Sequence, residues 1–589
     1  MKEFLKMTGA TIVGLIIFFV ALGFIGIMCL VGMVASSEST KNISDNSVLV
    51  LNLSGNLNER ANDNIFNRLR GIDENTIGLD DMLGAIRKAT DNDKVKGIYI
   101  EAGMFSSDSY ASLLAVRKAL LDFRKTGKWI VAYGDTYTQP TYYLASAADK
   151  VFINPQGQID WRGLSSQPYY LKNLMAKFGV KMQLAKVGTY KSAPETFTAD
   201  KMSEPNREQI TQMLTGIWNQ VVSDISKSRK IPTETLNSYA DQPYTFVSTD
   251  TYLKSKMVDA LLYTDQVKSE VKKLMKIDDD DNLNQLSIAD MRNVKEKRSK
   301  GDEIAIYYAY GSIVDGAQGM LNQDDVIDAQ AVCKDLERLM NDDDVKAVVL
   351  RINSGGGSAY ASEQMWHSIE MLKAKKPVVV SMGGMAASGG YYMSCNSNWI
   401  VAEPVTITGS IGIFGMFPDF SGLLKDKLGV TFDEVKTNKN SAMGTMARPF
   451  NDEEMSFLES YIERGYALFL KRVADGRKMN VADVDKIAQG RVWLGMDAIK
   501  IKLVDQLGGL DEAVAKAAQL AKIKDYKTYS YPAPLSFFDQ LSATRAAGNY
   551  LDEQLQGTFG ELYEPLMMLK SISHQNAIQA RIPYYINIK

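Results

Sequence analysis

Ser388 stands in "SMGGMAASGGYYMS", residues 381–394, between Ala387 and Gly389, with paired glycines on either flank. Core strands favour Val, Ile and Leu, and paired glycine weakens a helix interior. A hydroxyl set among such small residues marks a backbone that something must approach closely. Upstream, "RINSGGGSAYASE" at 351–363 reads as a strand, three glycines and the start of a helix. Backbone N–H groups at Gly355, Gly356 and Gly357 can meet a carbonyl oxygen at short range, which an oxyanion pocket requires.

A serine nucleophile needs a base, most often histidine. The chain has only His367, inside the amphipathic stretch "SEQMWHSIEMLKAK", and His574, near its C-terminal end. His367 reads as helix surface or packing, so a Ser–His–Asp triad has little support. Lysine is the other physically reasonable base. Burial among apolar groups disfavours the ammonium and can lower a lysine to roughly 7–8, where it accepts a proton from serine. Lys191, in "VGTYKSAP", is the candidate. A nearby carboxylate would raise its pKa, so Glu195, close in sequence, must point away.

The serine and the lysine belong to different copies of a repeated pattern. "DNDKVKGIYIEAG" at 91–103 resembles "NDDDVKAVVLRIN" at 341–353. "KWIVAYGDTYTQPTYYLAS" at 128–146 follows "KPVVVSMGGMAASGGYYMS" at 376–394, and "LMAKFGVKMQLAKVGTYKS" at 174–192 follows "LLKDKLGVTFDEVKTNKNS" at 423–441. Each copy reads as alternating strands and helices, with short apolar runs such as Val48–Leu53 and Ile304–Tyr308 as buried strands of a parallel sheet. A period of about 250 residues is too long for a solenoid and indicates a duplicated domain. Aligning Tyr142 and Tyr143 with Tyr391 and Tyr392 sets Gln139 opposite Ser388, and the first copy has "IEAGMFSSDSYAS" in place of the three glycines. The second copy has "VKTNKNSA" where the first has Lys191. Each copy keeps one half of a site.

The whole chain bounds these readings. At 589 residues it exceeds one core, so two or more domains are expected. Lys+Arg total 67 against 70 Asp+Glu, a net charge of −3, without the basic excess that nucleic-acid binding needs. Cys29, Cys333 and Cys395 show no CxxC spacing, which argues against a structural zinc. Expected units are an N-terminal anchor segment, 1–45, a first repeat, 46–275, a charged linker, 276–301, a second repeat, 302–528, and a C-terminal tail, 529–589. The tail is read with two helical stretches. Between Lys6 and Glu38 no residue is charged, and Thr11–Val34 would span roughly 36 Å as a helix, enough for a bilayer core. The run is longer than a secretory h-region, and Met28 before Cys29 does not suit a lipoprotein signal, so an uncleaved transmembrane helix over about 10–34 is expected. Lys2, Lys6 and the amino terminus favour the short end inside and the bulk of the chain outside the cytoplasm.

Taken together, "SMGGMAASGGYY", "ITGSIGIFG" at 407–415 and "VGTYKSA" resemble the signal peptide peptidase A family in its long, duplicated, membrane-anchored form, over nearly the whole chain to about residue 528. The resemblance implies tandem α/β domains of the Clp-protease/crotonase fold with parallel sheets, preceded by one transmembrane helix. It implies a serine endopeptidase with a Ser–Lys dyad and an acyl-enzyme mechanism, digesting cleaved signal peptides and similar hydrophobic peptides. It also implies a cell inner membrane location with the catalytic bulk on the periplasmic side, a homo-oligomer (a tetramer), and no cofactor or metal. Carried over by motif, Ser388 is the nucleophile, Lys191 the general base and Ser410 the group that orients the lysine. The oxyanion donors fall on Gly356, Gly357 and Gly389. Two departures stand out: Gly355 replaces the proline of the family's "NSPGG" turn, and Lys439 and Ser441 occupy the region where single-copy relatives carry their lysine, with Ser441 in the catalytic slot. Lys439 is read as a solvated loop charge. A crotonase-type acyl-CoA enzyme would share the fold without needing the serine. A non-catalytic membrane scaffold would gain nothing from the small residues around Ser388.

Overall fold

The computed structural model describes residues 42–61, 76–294, 301–316, 325–533 and 578–582, with scattered positions between 7 and 26. In the first repeat the apolar run near Val48 becomes β1 (Ser47–Asn58), followed by β2 (Val95–Ser107), β3 (Trp129–Tyr137) and β4 (Lys150–Ile159). They pair in parallel in the order β1-β2-β3-β4. Parallel neighbours require crossovers, here helices α1 (Tyr110–Lys125) and α2 (Gln139–Ala145). Ser109 starts α1 by accepting from the Ser112 N–H, and Thr138 starts α2 in the same way through Thr141. Beyond this sheet the repeat extends into β5 (Lys181–Lys186) and the long helix α3 (Glu204–Arg229).

The second repeat lays down the same plan. β6 (Asp302–Tyr310), β7 (Val345–Ser354), β9 (Val378–Ala387) and β10 (Ile407–Gly409) pair in parallel in the order β6-β7-β9-β10. Between β7 and β9 come β8 (Gly356–Ser358) and α4 (Ala359–Lys373); α5 (Gly389–Ser394) follows β9. β11 (Phe414–Asp419) and α6 (Asp452–Arg477) come after β10. These strands are buried almost throughout, as sheets covered on both faces are. The expected duplicated α/β fold with parallel sheets is present.

A third sheet joins the repeats. β5 runs antiparallel to β11, with Lys186 opposite Phe414 and Lys181 opposite Asp419. β12 (Ile578–Arg581) lies between β11 and β8, antiparallel to both. The first repeat's apolar core also takes in Ala387, Ile407, Val492 and Leu494 of the second. Glu59 of the first repeat forms a buried ion pair with Arg351 of the second, whose guanidinium also donates to Ser381 Oγ at 3.0 Å and Met382 O at 3.1 Å.

The segment expected as a charged linker is partly structured. Residues Asn284–Leu286 add to β1 in parallel, and Leu286 and Met291 are buried, because the charged run carries a few apolar residues that dock on the first sheet. Tyr526–Tyr531, at the boundary of the expected tail, pairs in parallel with β6. The helices expected in the tail, and most of the expected anchor at 10–34, lie outside the described residues. Among the described residues no helix is long and apolar enough to cross a membrane.

Candidate active site

Ser388 and Ser410 follow the carboxyl ends of the adjacent parallel strands β9 and β10, where open α/β sheets place their ligands. Ser388 caps the start of α5 with φ 54° and ψ −111°. A side chain at positive φ is held there at a cost of about 1–3 kcal/mol and needs surroundings that enforce it. Its N–H donates to Gly409 O at 2.8 Å, and small neighbours let the turn close. Gly390 is one of them: a Cβ there would lie 2.8 Å from Ser354 O. Ser410 has φ 48°, and its N–H donates to Arg491 O at 2.7 Å. Both serines are fully buried.

Lys191 reaches the same point from the other repeat. The antiparallel β5–β11 pairing delivers the loop after Lys186 to the end of β10. There the Tyr190 N–H donates to Gln489 O at 2.8 Å. Gly490, at φ +78°, lets the two backbones touch: a Cβ on it would lie 2.6 Å from Lys191 Cβ. A Cβ on Gly412 would lie 3.3 Å from Lys191 Cδ, so the lysine stem is flanked by glycines. From α3, Gln209 donates to Tyr190 O and Ser192 Oγ, both at 3.0 Å, and accepts from the Val492 N–H at 3.2 Å.

The Lys191 amine is hydrogen-bonded to Ser388 Oγ at 2.8 Å, Ser410 Oγ at 3.1 Å and Ser410 O at 3.2 Å. The residue is fully buried, and burial alone holds its pKa well below the usual lysine value. Glu195 does not oppose this. Its carboxylate accepts from Ser203 Oγ at 2.5 Å and from Asn206 Nδ2 at 2.9 Å, turned into the first turn of α3.

The glycine turn adjoins the serine. Gly356 has φ +97°, and a Cβ there would lie 2.7 Å from Gly389 N. The Gly356 N–H donates to Ser354 Oγ at 3.1 Å. Gly389 opens α5, so its N–H is among those a helix leaves without an internal acceptor. The arrangement offers a hydroxyl, a buried amine beside it whose pKa is lowered by burial, and backbone donors on the far side, the parts needed to attack a carbonyl.

Other sequence candidates fall elsewhere. Gln139, at the start of α2, is buried and bonded to Tyr110 and the Gly163 backbone, so the first repeat has no hydroxyl there. Lys439 is exposed and pairs with Glu453, and Ser441 is exposed and bonded to Asn438 O. His367 is exposed on α4, and His574 and Cys29 lie outside the described residues. Among the described residues no cluster of His, Cys, Asp or Glu could hold a metal. Sequence reading missed Gln209, Gly412 and Gly490, and also Asp108, which accepts from Asn353 at 2.7 Å beneath the glycine turn. Burial, then the nearby Glu59, raises the Asp108 pKa.

Peptidase family S49 matches residues 122–278 and 370–524, and the Clp protease family matches 309–398. Protease 4 of Salmonella typhi is 36% identical over 560 residues, 92% of this chain and 88% of that protein. Protease 4 of Haemophilus influenzae is 36% identical over 533 residues, 85% of this chain and 83% of that one. The chloroplastic serine protease SPPA of Arabidopsis thaliana is 30% identical over 486 residues, covering 81% of this chain and 71% of that protein.

Proposed function

Because the chain belongs to peptidase family S49 and is a serine peptidase, we propose that Ser388 and Lys191 form its catalytic dyad and that it digests hydrophobic peptides such as cleaved signal peptides. The observation that carries this reading is the 2.8 Å hydrogen bond between a fully buried lysine amine and a serine hydroxyl. Lys191, neutral in its dry setting, takes the proton of Ser388 as Oγ attacks the peptide carbonyl. Ser410 holds the amine in line through its hydroxyl and carbonyl. The developing oxyanion is met by backbone N–H groups of the Gly356–Gly357 turn and of Gly389. Because Gly356 N–H is engaged by Ser354, Gly357 and Gly389 are the stronger donors. Lys191 then hands its proton to the leaving amine, and water releases the acyl group by the same steps in reverse. The apolar run 11–34 anchors the chain in the cell inner membrane with the catalytic bulk on the periplasmic side, and the chains assemble into a homotetramer.

The test is mass spectrometry of products from a hydrophobic signal-peptide-like substrate, together with labelling by a serine-directed phosphonate. The wild type is expected to cleave and to carry the label on Ser388, and Ser388→Ala to do neither. Cleavage retained by Ser388→Ala would overturn the assignment.

A further inference from the structure

β9 carries more residues than its neighbour over the stretch that leads to Ser388. Ile352 of β7 is opposite Met382 and Ser354 is opposite Ala386, so Asn353 alone faces Gly383, Gly384 and Met385. Extra residues in one strand of a pair bend that strand and re-aim the side chains that follow, here those of Ala387 and Ser388.

The Asn353 side chain fills the bulge. Its Oδ1 accepts from the Met385 N–H at 3.1 Å and so supplies an acceptor where the ladder is broken. Its backbone leads the other way, to the glycine turn. The Asn353 carbonyl accepts from the Gly311 N–H at 3.0 Å, and the Gly311 carbonyl accepts from Ser354 Oγ at 2.6 Å. That same hydroxyl accepts from the Gly356 N–H at 3.1 Å. One residue therefore ties the strand of the nucleophile to the turn of the oxyanion donors.

The first repeat stands against this bulge. A Cβ on Gly383 would lie 3.0 Å from Glu59 Oε2, and one on Gly384 would lie 2.5 Å from Ser109 Cβ. The paired glycines ahead of Ser388 are small because side chains of the other repeat occupy the space. Beside Ser109 is Asp108, just past the end of β2. Its Oδ1 accepts from Ser112 Oγ at 2.7 Å and from Ser107 and Ser109 Oγ at 3.3 Å, which fixes it at the start of α1. Its Oδ2 accepts from Asn353 Nδ2 at 2.7 Å. A carboxylate only accepts, so it selects the orientation of the Asn353 amide that turns nitrogen to Asp108 and oxygen to Met385.

We infer that Asp108 is a positioning residue for the peptidase reaction: through Asn353 it holds both the bulge that aims Ser388 and the turn that offers the oxyanion donors. The inference rests on the dyad reading above. It gives the first repeat a second contribution to the site besides Lys191, made through a hydrogen bond between the repeats. Losing it misplaces the reacting groups, so the loss falls on the chemical step rather than on peptide binding.

The experiment uses the full chain and compares wild type with Asp108→Asn, Asp108→Leu, Asn353→Leu and the Asp108→Leu/Asn353→Leu double variant. Each is assayed with a fluorogenic hydrophobic peptide and with a peptide aldehyde, whose adduct with the serine presents an oxygen to the same donors. Asp108→Asn keeps an acceptor for Asn353 and turns its own NH2 to the serine hydroxyls, so kcat should stay within about threefold of wild type. Asp108→Leu keeps the shape and removes the acceptor. Its kcat should fall about 10–100-fold with KM within about twofold, and aldehyde affinity should fall in step with kcat/KM. Asn353→Leu should lose as much, and the double variant should be no slower than Asn353→Leu, because both substitutions break one linkage. Wild-type kcat in folded Asp108→Leu, with only a lowered thermal midpoint, would make Asp108 a support of α1 and overturn the inference. Additive losses in the double variant would also overturn it. If Asp108→Leu does not fold, Asn353→Leu decides: wild-type kcat there refutes the linkage. Turnover that survives Ser388→Ala would instead sink the dyad reading, so the two failures are distinguishable.

Discussion

At Lys191 the stem and the amine are both out of water, and no carboxylate is among the causes of its lowered pKa. Burial favours the neutral form of that amine, and only the neutral form can take the serine proton. The rate should therefore rise with pH through the depressed pKa and level off above it. Lys191→Met keeps a similar volume and removes the base, so kcat/KM should fall by about 10²–10⁴-fold or more. Lys191→Arg should be as inactive, since a guanidinium stays protonated throughout this range. An arginine variant with substantial turnover would show that the position supplies only charge. Stability carries the same signature. Between the depressed folded value and the ordinary 10.5, the unfolded chain binds a proton that the folded chain lacks. Wild-type stability should thus rise with pH in that window by about 1.4 kcal/mol per unit, a slope that denaturant titrations of Lys191→Met should no longer show.

The loop after β5 is positioned by groups that do no chemistry. Gly490 admits it, and Gln209 on α3 ties down the residues on either side of Lys191. Gly490→Ala would put a methyl 2.6 Å from Lys191 Cβ at a positive φ. It should cost about 1–3 kcal/mol of stability and lower kcat with an upward move of the apparent pKa, because a displaced lysine regains water. Thermal unfolding and a pH–rate profile would read both effects; an unmoved profile would mean the loop is held elsewhere. These supports also explain what the sequence could and could not disclose. Ser388, its glycines and the two repeats are legible because each rests on a short contiguous pattern, and so is the need to bury Lys191. Gln209 sits in the unremarkable stretch "REQITQ", and Gly490 gains its meaning only when residue 191 is brought against it. The same holds for Glu59 and Arg351, whose pairing depends on how the two sheets are stacked. Charged composition at 276–301 hid the few apolar residues that dock there, since a charge run and a docked strand with one buried edge read alike.

Across the whole molecule the serine and the lysine come from different repeats, so residues 302–528 expressed alone should show no peptidase activity. Full activity there would point to Lys439 instead. Within the intact chain, Arg351→Met leaves Glu59 buried without its cation and should destabilise by about 3–5 kcal/mol in chemical denaturation. The duplication also leaves one joint unused. In the first repeat β5 is covered by β11, and Ala185 is buried opposite Gly415. Aligning Gly179 and Val180 with Gly429 and Val430 makes 431–436 the second repeat's counterpart of β5, with Val435 at the place of Ala185. That stretch forms no strand, and Val435 is 98% exposed. The first repeat's counterpart of β11, residues 164–169, precedes the helix Lys172–Lys177 as β11 precedes Leu423–Lys427, and it is likewise mostly exposed and outside any strand. Leu428, Val430 and Phe432 are exposed along the same stretch, so the unpaired joint carries a run of apolar residues rather than a single one. We propose that residues 431–436 of one chain meet 164–169 of the next in a head-to-tail contact, which closes into a ring when the rotation allows. Light scattering of the detergent-solubilised chain should therefore give a closed oligomer of the size of the proposed tetramer. Val435→Asp should dissociate it without unfolding the monomer or removing phosphonate labelling of Ser388. A Val435→Asp protein that keeps the wild-type mass would place the contact elsewhere on the chain.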